Sequence, residues 1–446
     1  MIVLYVLYSL ISLILLLVSI RQARSKFAVG LVGFWLLSQP ILYRPEFMIS
    51  TPLGFDLQPT RLVFLLIMAL FVYHARDLFR GFFNRAGQLL FFEKMLICFL
   101  LVAIMSLAIS SLSVRIILVQ ATNLLAFPSF YLLAKRYITG HQDTYILFKI
   151  FIYFSLLSVA AALVQFFFNP EFFRVSSQRL AYGEIYRANG FFPGEYEQGI
   201  FLSCMAAVAF YSVRNWFLRV FLLTTFTLGV FVTMHRGSWI IFAVVIIYLS
   251  ILASSDLKKS QKRVVFLFSI FGVAFMLLAA AFMHKSPIDI SSDFVQDRFL
   301  TDTFSIRFNL LDFGMYVIRH NPLGVGDYQA EEYWQLYYQY GLRYHMGAPL
   351  VIHNGYLAAA AKYGIIGGAF FMLFLMGSLR YYWRRGAWKL SWSAVQFASW
   401  VAFALMNMSQ EYSMLGIPSV IFLALLAGLF PEMPKKTYML RVGTNA

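Results

Sequence analysis

Charge is scarce in this chain: Asp, Glu, Lys and Arg make up 13% of its 446 residues, against 61% hydrophobic, and the mean hydropathy is +0.72. Soluble globular chains carry about 25% charged and about 45–50% apolar residues, so a soluble fold is excluded. Cysteine is nearly missing. Cys98 and Cys204 each sit in an apolar run, which leaves neither a disulfide framework nor a thiolate metal site and marks both as packing residues. No tandem repeat is present and the two halves are dissimilar, which disfavours transporter folds built from duplicated bundles. Acids are outnumbered, 20 to 36 bases, giving a net charge of +16. The bases are spread over many loops instead of one patch, so nucleic acid is not the expected partner.

What is present is apolar sequence in long uninterrupted runs. A hydrocarbon core of about 30 Å takes roughly 20 helical residues, and only helices or closed barrels satisfy their backbone there. Long runs select helices, and lipid is the expected surrounding. Thirteen candidate spans lie near 2–20, 27–43, 61–75, 95–112, 115–134, 145–168, 198–213, 217–234, 237–254, 264–283, 353–378, 392–408 and 413–430. Arg115, Asn123 and Pro128 interrupt the fifth, and a short polar turn, His235 to Gly237, splits the eighth from the ninth, so counts of twelve to fourteen fit. The first span has no basic leader and no small-residue cleavage site, and is expected to be retained. The expected fold is all-α: a polytopic transmembrane bundle over 1–283, a large outer loop over 284–352, and three further spans with a cytoplasmic tail over 353–446.

Lys and Arg accumulate in cytoplasmic loops. One set of loops holds 22 bases, among them Arg24, Arg80, Lys135, Lys259, Arg384 and Lys436, against five acids. The other holds 12 bases against 15 acids. This predicts an N-terminus outside and a C-terminus inside, with the large loop on the outer face.

Three places carry charge at that outer face. The first is Arg187-Ala188-Asn189-Gly190-Phe191-Phe192-Pro193-Gly194-Glu195-Tyr196-Glu197, leading into the seventh span. The second is the turn Met234-His235-Arg236-Gly237-Ser238-Trp239. The third is Val351-Ile352-His353-Asn354-Gly355-Tyr356-Leu357, where the large loop re-enters the membrane. Taken singly, Arg187 reads as an interfacial arginine and His353 as a helix-start histidine. Arg236 sits in so short a turn that its guanidinium must lie close to hydrocarbon, where charges are paired or functional. Two arginines offer planar forks that grip phosphate oxygens bidentately, which suits a pyrophosphate. A histidine beside them can take a proton from an attacking hydroxyl. A lipid-tailed pyrophosphate with a scissile bond just beyond it fits all three, and the arginines would stabilise the departing charge without a metal or other cofactor.

At these residues the sequence resembles the O-antigen ligase and O-antigen polymerase superfamily of polytopic bacterial glycosyltransferases. The resemblance runs from Arg187 to the last span, through Arg236-Gly237-Ser238-Trp239, then Arg307 and Ile318-Arg319-His320-Asn321-Pro322-Leu323-Gly324-Val325-Gly326, then His353-Asn354-Gly355-Tyr356-Leu357 and Tyr363-Gly364-Ile365-Ile366-Gly367. It implies a GT-C-like, metal-independent, inverting transferase in the bacterial inner membrane, facing the periplasm, with an undecaprenyl-pyrophosphate-linked oligosaccharide as donor. The acceptor would be a growing glycan or lipid A core, and a chain-length regulator is a further candidate partner. By position it makes Arg187, Arg236 and His353 catalytic, and Arg307, Glu195, Glu197, Asn354 and Tyr356 substrate-binding, with Glu195 or Glu197 as the alternative base. Polymerase comes first, ligase second, and a flippase for the same lipid-linked sugar third. Many relatives carry Pro-Asn where this chain has Gly194-Glu195-Tyr196-Glu197, and several carry an acid at Lys362, which reads either as a substrate contact or, preferably, as a lysine that snorkels toward an interface. The aromatic stretch Tyr328, Tyr333, Trp334, Tyr337, Tyr338, Tyr340 and Tyr344 offers either sugar-stacking faces or the buried side of an amphipathic helix.

Overall fold

The computed structural model describes residues 2–41, 49–50, 56–57, 63–70, 72–73, 89–174, 180–182, 185–213, 215–253, 302–341, 351–408, 410 and 418–429. Thirteen helices carry the described chain: α1 Ile2–Arg21, α2 Lys26–Leu37, α3 Phe91–Ile109, α4 Val114–Tyr137, α5 His141–Phe167, α6 Glu195–Ser212, α7 Trp216–Phe231, α8 Arg236–Ala253, α9 Asp302–His320, α10 Glu331–Gln339, α11 Gly355–Tyr382, α12 Trp392–Asn407 and α13 Pro418–Gly428. Residues 63–70 are also helical. Two antiparallel ribbons, Ile49–Ser50 with Asp56–Leu57 and Leu180–Tyr182 with Ile185–Tyr186, are the strands among the described residues. The protein is thus all-α. Twelve of the thirteen apolar runs fall on helix, and the run 264–283 lies outside the described residues.

Four helical segments, Phe91–Ile109, Val114–Tyr137, His141–Phe167 and Gly355–Ala387, are long and apolar enough to cross a membrane. Five shorter helices, α1, α2, α7, α8 and α13, are apolar as well. Their exposed side chains explain why. On α8, Ile240, Val244, Ile247 and Ile251 are exposed at helical spacing, and on α1 so are Leu7, Leu10, Ile14, Leu17 and Val18. A soluble protein would bury such stripes; a membrane protein turns them to lipid.

The opposite faces interlock. α11 packs along α3, α13 along α4, and α6 lies among α7, α8 and α12. At the centre Phe374 meets Phe127 and Trp400 edge-on, with Phe99 and Phe371 beside them. Pro128 leaves α4 unbroken. Helix starts are set by local acceptors: Asn215 Oδ1 takes the Leu218 amide, Ser391 Oγ the Ala394 amide, and the Glu93 carboxylate the Leu90 amide. Asp143, in the first turn of α5, accepts the amides of Arg24 and Ser25 and so ties the α1–α2 turn to it.

Candidate functional site

The segment before α6 is held from below by α5. Gln165, in the last turn of α5, accepts the amides of Asn189 and Gly190, both at 2.9 Å, and donates to the carbonyls of Gly190 and Phe172. Ser158, two turns earlier, accepts the Phe191 amide at 3.2 Å and donates to Gln198 at 2.7 Å. Gly190 has φ +56°, and a Cβ there would lie 2.5 Å from Ser158 Oγ, so only glycine lets the chain come this close. Arg174, 3% exposed, gives its guanidinium to the carbonyls of Arg187 at 2.8 Å and Pro170 at 3.3 Å. The loop is therefore rigid, and Arg187 is fixed at its root. The Arg187 guanidinium pairs with Glu195 at 3.0 Å, keeping its side chain 25% exposed. Glu195 and Glu197 are both buried in the first turn of α6, where the helix dipole favours anions. Glu197 takes a hydrogen bond from the Ser419 backbone at the start of α13.

The turn between α7 and α8 lies directly against this loop: the Ala188 amide donates to the Val232 carbonyl at 3.1 Å. Met234 adopts φ +52°, an uncommon conformation for a side-chain-bearing residue. His235 then caps α8. Its Nδ1 accepts the Ser238 amide at 3.1 Å, which fixes the ring proton of the neutral form on Nε2. Trp239 Nε1 donates to the Val230 carbonyl and closes the turn. Arg236 is the first residue of α8 and is exposed, so a guanidinium and the amide end of a helix share one spot. Both favour an anion.

His353 sits at the start of α11, partly exposed. Its Nδ1 lies 2.8 Å from the Val351 carbonyl. A carbonyl only accepts, so Nδ1 carries the proton and the basic lone pair is on Nε2. The two histidines thus hold opposite tautomers. Asn354 Oδ1 caps α11 by accepting the amides of Tyr356 and Leu357, and Tyr356 donates its hydroxyl to the Ala404 carbonyl at 2.8 Å. Both anchor the helix that begins beside His353. The Asn354 amide reaches the Met408 carbonyl at 3.5 Å, and Gln410, two residues further, comes within 3.4 Å of His235 Nε2.

The segments that carry Arg187 and Arg236 are thereby joined through the Ala188–Val232 bond, while Met408 lies by the His353 turn and Gln410 by His235. Arg307 lies in α9, with its side chain outside the described part. Sequence reasoning missed Gln165, Arg174 and His235. Their positions just before the loop or the turn were the available signal, but their partners are backbone groups that no motif encodes.

Lys362 corrects an expectation. It does not snorkel: it is fully buried, pairs with Asp327 at 3.1 Å, and lies 4.2 Å from the Tyr328 ring centre. The partner arrives from a distant loop, which removes any need to reach an interface. The loop aromatics divide between buried and exposed rings. Tyr333 and Tyr337, one turn apart on α10, are buried against Phe313, whereas Tyr338 is exposed beside Trp334. Tyr344 lies outside the described residues. Among the described residues no three His, Cys, Asp or Glu side chains come together as a metal-binding group.

Residues 220–372 match the O-antigen ligase family. That stretch is about a third of the chain, and its similarity supports an assignment to the O-antigen ligase and polymerase superfamily. It contains Arg236, Arg307 and His353, whereas Arg187, Glu195 and Glu197 precede it. No curated protein gives a significant match. The long apolar helices make this a multi-pass membrane protein, and the match supports a surface-polysaccharide role of the O-antigen ligase type, a family that implies a glycosyltransferase-like enzyme.

Proposed function

We propose that the protein is an inverting, metal-independent glycosyltransferase of the bacterial inner membrane, working at its periplasmic face. Its donor is an oligosaccharide on undecaprenyl pyrophosphate, and it joins repeat units into a surface polysaccharide. The observation that carries this reading is the hydrogen-bonded junction of the Arg187 loop with the Arg236 turn, inside and beside the O-antigen ligase match. Two guanidiniums held on neighbouring turns suit one pyrophosphate.

In the reaction the acceptor oxygen bonds to the anomeric carbon as the bond from that carbon to the phosphate oxygen breaks. The electron pair leaves with the lipid pyrophosphate, where Arg187 and Arg236 meet the growing charge. The hydroxyl proton passes to His353 Nε2, the nitrogen its bond to Val351 leaves basic; Glu195 or Glu197 is the alternative acceptor. Arg307, Asn354 and Tyr356 belong to the substrate-binding shell, the last two by setting the start of α11. The match to the O-antigen ligase family favours a second reading, in which the acceptor is lipid A core and the product a ligated glycan. A flippase would place its informative charges along a mid-membrane path, whereas here they gather on adjoining turns.

The test is release of lipid pyrophosphate by the purified protein in liposomes, with EDTA present. Wild type should turn over and Arg236→Ala should lose about a hundredfold or more in kcat while remaining folded. Product mass tells polymer from ligated glycan. Translocation of the donor without any transfer would overturn the enzyme reading.

A further inference from the structure

α11 is a broken helix. At Gly364 the backbone swings to φ 76° and ψ 170°, outside helical space, about two and a half turns after the helix start at Gly355. A break inside an apolar helix frees backbone groups that lipid cannot satisfy. Here they are answered by the turn after α9. The Val325 amide donates to the Ala361 carbonyl at 3.0 Å, Gly326 to the Lys362 carbonyl at 2.7 Å, and in return the Ile365 amide donates to the Pro322 carbonyl at 3.0 Å. Ser106 of α3 adds a bond to the Lys362 carbonyl at 2.8 Å. The turn is thus stitched into the break as a strand would be.

Across this seam lies the buried pair of Lys362 and Asp327, with 0% and 4% of their side chains exposed, and with the Tyr328 ring against the ammonium. Two charges sealed away from water cost desolvation energy, and a plain hydrophobic contact would cover the seam without fixing its register. What an ion pair adds is a single register, since neither charge tolerates any other neighbour there. The same unit touches the far end of the segment: Gly314 of α9 lies against Ile352, so that a Cβ at 314 would stand 3.4 Å from it, and Ile352 directly precedes His353. The piece 352–363 is therefore held at both ends by α9 and the turn that follows it.

We propose that Asp327 and Lys362 are positioning residues. Their ion pair locks the 322–327 turn into the break of α11 and so sets the angle of the short helix that starts at His353. The inference rests on the reading of His353 as an active-site base, but its first readout does not.

That readout is hydrogen–deuterium exchange of the protein in liposomes, followed at the amides of Val325, Gly326 and Ile365. Lys362→Met should speed exchange there on the order of tenfold, and Lys362→Arg should not. In the transfer assay the same Lys362→Met should lower kcat on the order of tenfold to a hundredfold with KM changed less than about twofold, because orientation rather than donor contact is lost. Should Lys362→Met fail to fold, the paired change Asp327→Leu with Lys362→Met leaves no buried charge; it should fold and still show loosened amides and a reduced kcat. A folded paired variant with wild-type exchange and wild-type kcat would overturn the proposal. Loosened amides in a protein whose wild type transfers no sugar would uphold the lock and sink the enzyme reading instead.

Discussion

At the scale of single residues, what matters most is where a side chain finds its partner. Arg187 would be one exposed arginine among many if Arg174 did not hold its carbonyl and Gln165 did not hold the two amides beyond it. Gly190 is the point on which this depends. An alanine there must adopt φ near +56°, a cost of about 1–2 kcal/mol, and its Cβ would also run into Ser158 Oγ at 2.5 Å and Gln198 Oε1 at 2.7 Å. Both of those atoms already share a hydrogen bond, so the loop and not the helix must yield. Gly190→Ala should therefore leave the fold standing, as judged by a melting temperature within a few degrees of wild type, while transfer activity falls steeply. A melting temperature that collapses with the activity would show the loop to be a structural strut and not a site support.

At the scale of elements, the decisive feature is the interruption of α11. A continuous helix would carry the His353 turn along one axis. The break at Gly364 re-aims it and opens carbonyls that the 322–326 turn fills. Gly364 occupies a region of backbone space that is nearly reserved for glycine, and other residues lose of order 1–3 kcal/mol there. Its Cβ would also meet the Pro322 carbonyl oxygen and the Leu323 carbonyl carbon at 2.7 Å. Gly364→Ala should lower the melting temperature by several degrees in nanodiscs and loosen α9 and α10 together, measured by protease sensitivity within 302–341. Unchanged sensitivity would mean that the turn is not held by the break. Much at this scale was legible beforehand, because long apolar runs translate directly into helices, and His353, taken singly as a helix-start histidine, does stand at the start of α11. Other parts were not. Lys362 meets Asp327 through the fold, across 35 positions of chain, and nothing local to either residue announces the pair. His235 read as part of a polar turn, yet its ring caps α8, a task usually left to Ser, Thr, Asp or Asn.

For the whole molecule, the charge asymmetry and the exposed stripes argue together. Apolar stripes on α1 and α8 face outward around a core of packed aromatics, which is the arrangement lipid demands. The loops then have to be sorted between two aqueous sides, and the excess of Lys and Arg in alternate loops sorts them. With the proposed outer N-terminus, the exposed turn after α5 would lie outside and the exposed turn between α11 and α12 inside. The proposed chemistry needs this, since the Arg187 loop continues from the first of these turns. In a background where Cys98 and Cys204 are serine, Glu171→Cys should react with a membrane-impermeant maleimide added to intact cells, with the outer membrane permeabilised. Lys389→Cys should react only after the inner membrane is opened. The reverse pattern would put the arginine turns in the cytoplasm, where an outward-facing lipid-linked donor could not reach them, and the transfer reaction proposed here would have to be abandoned.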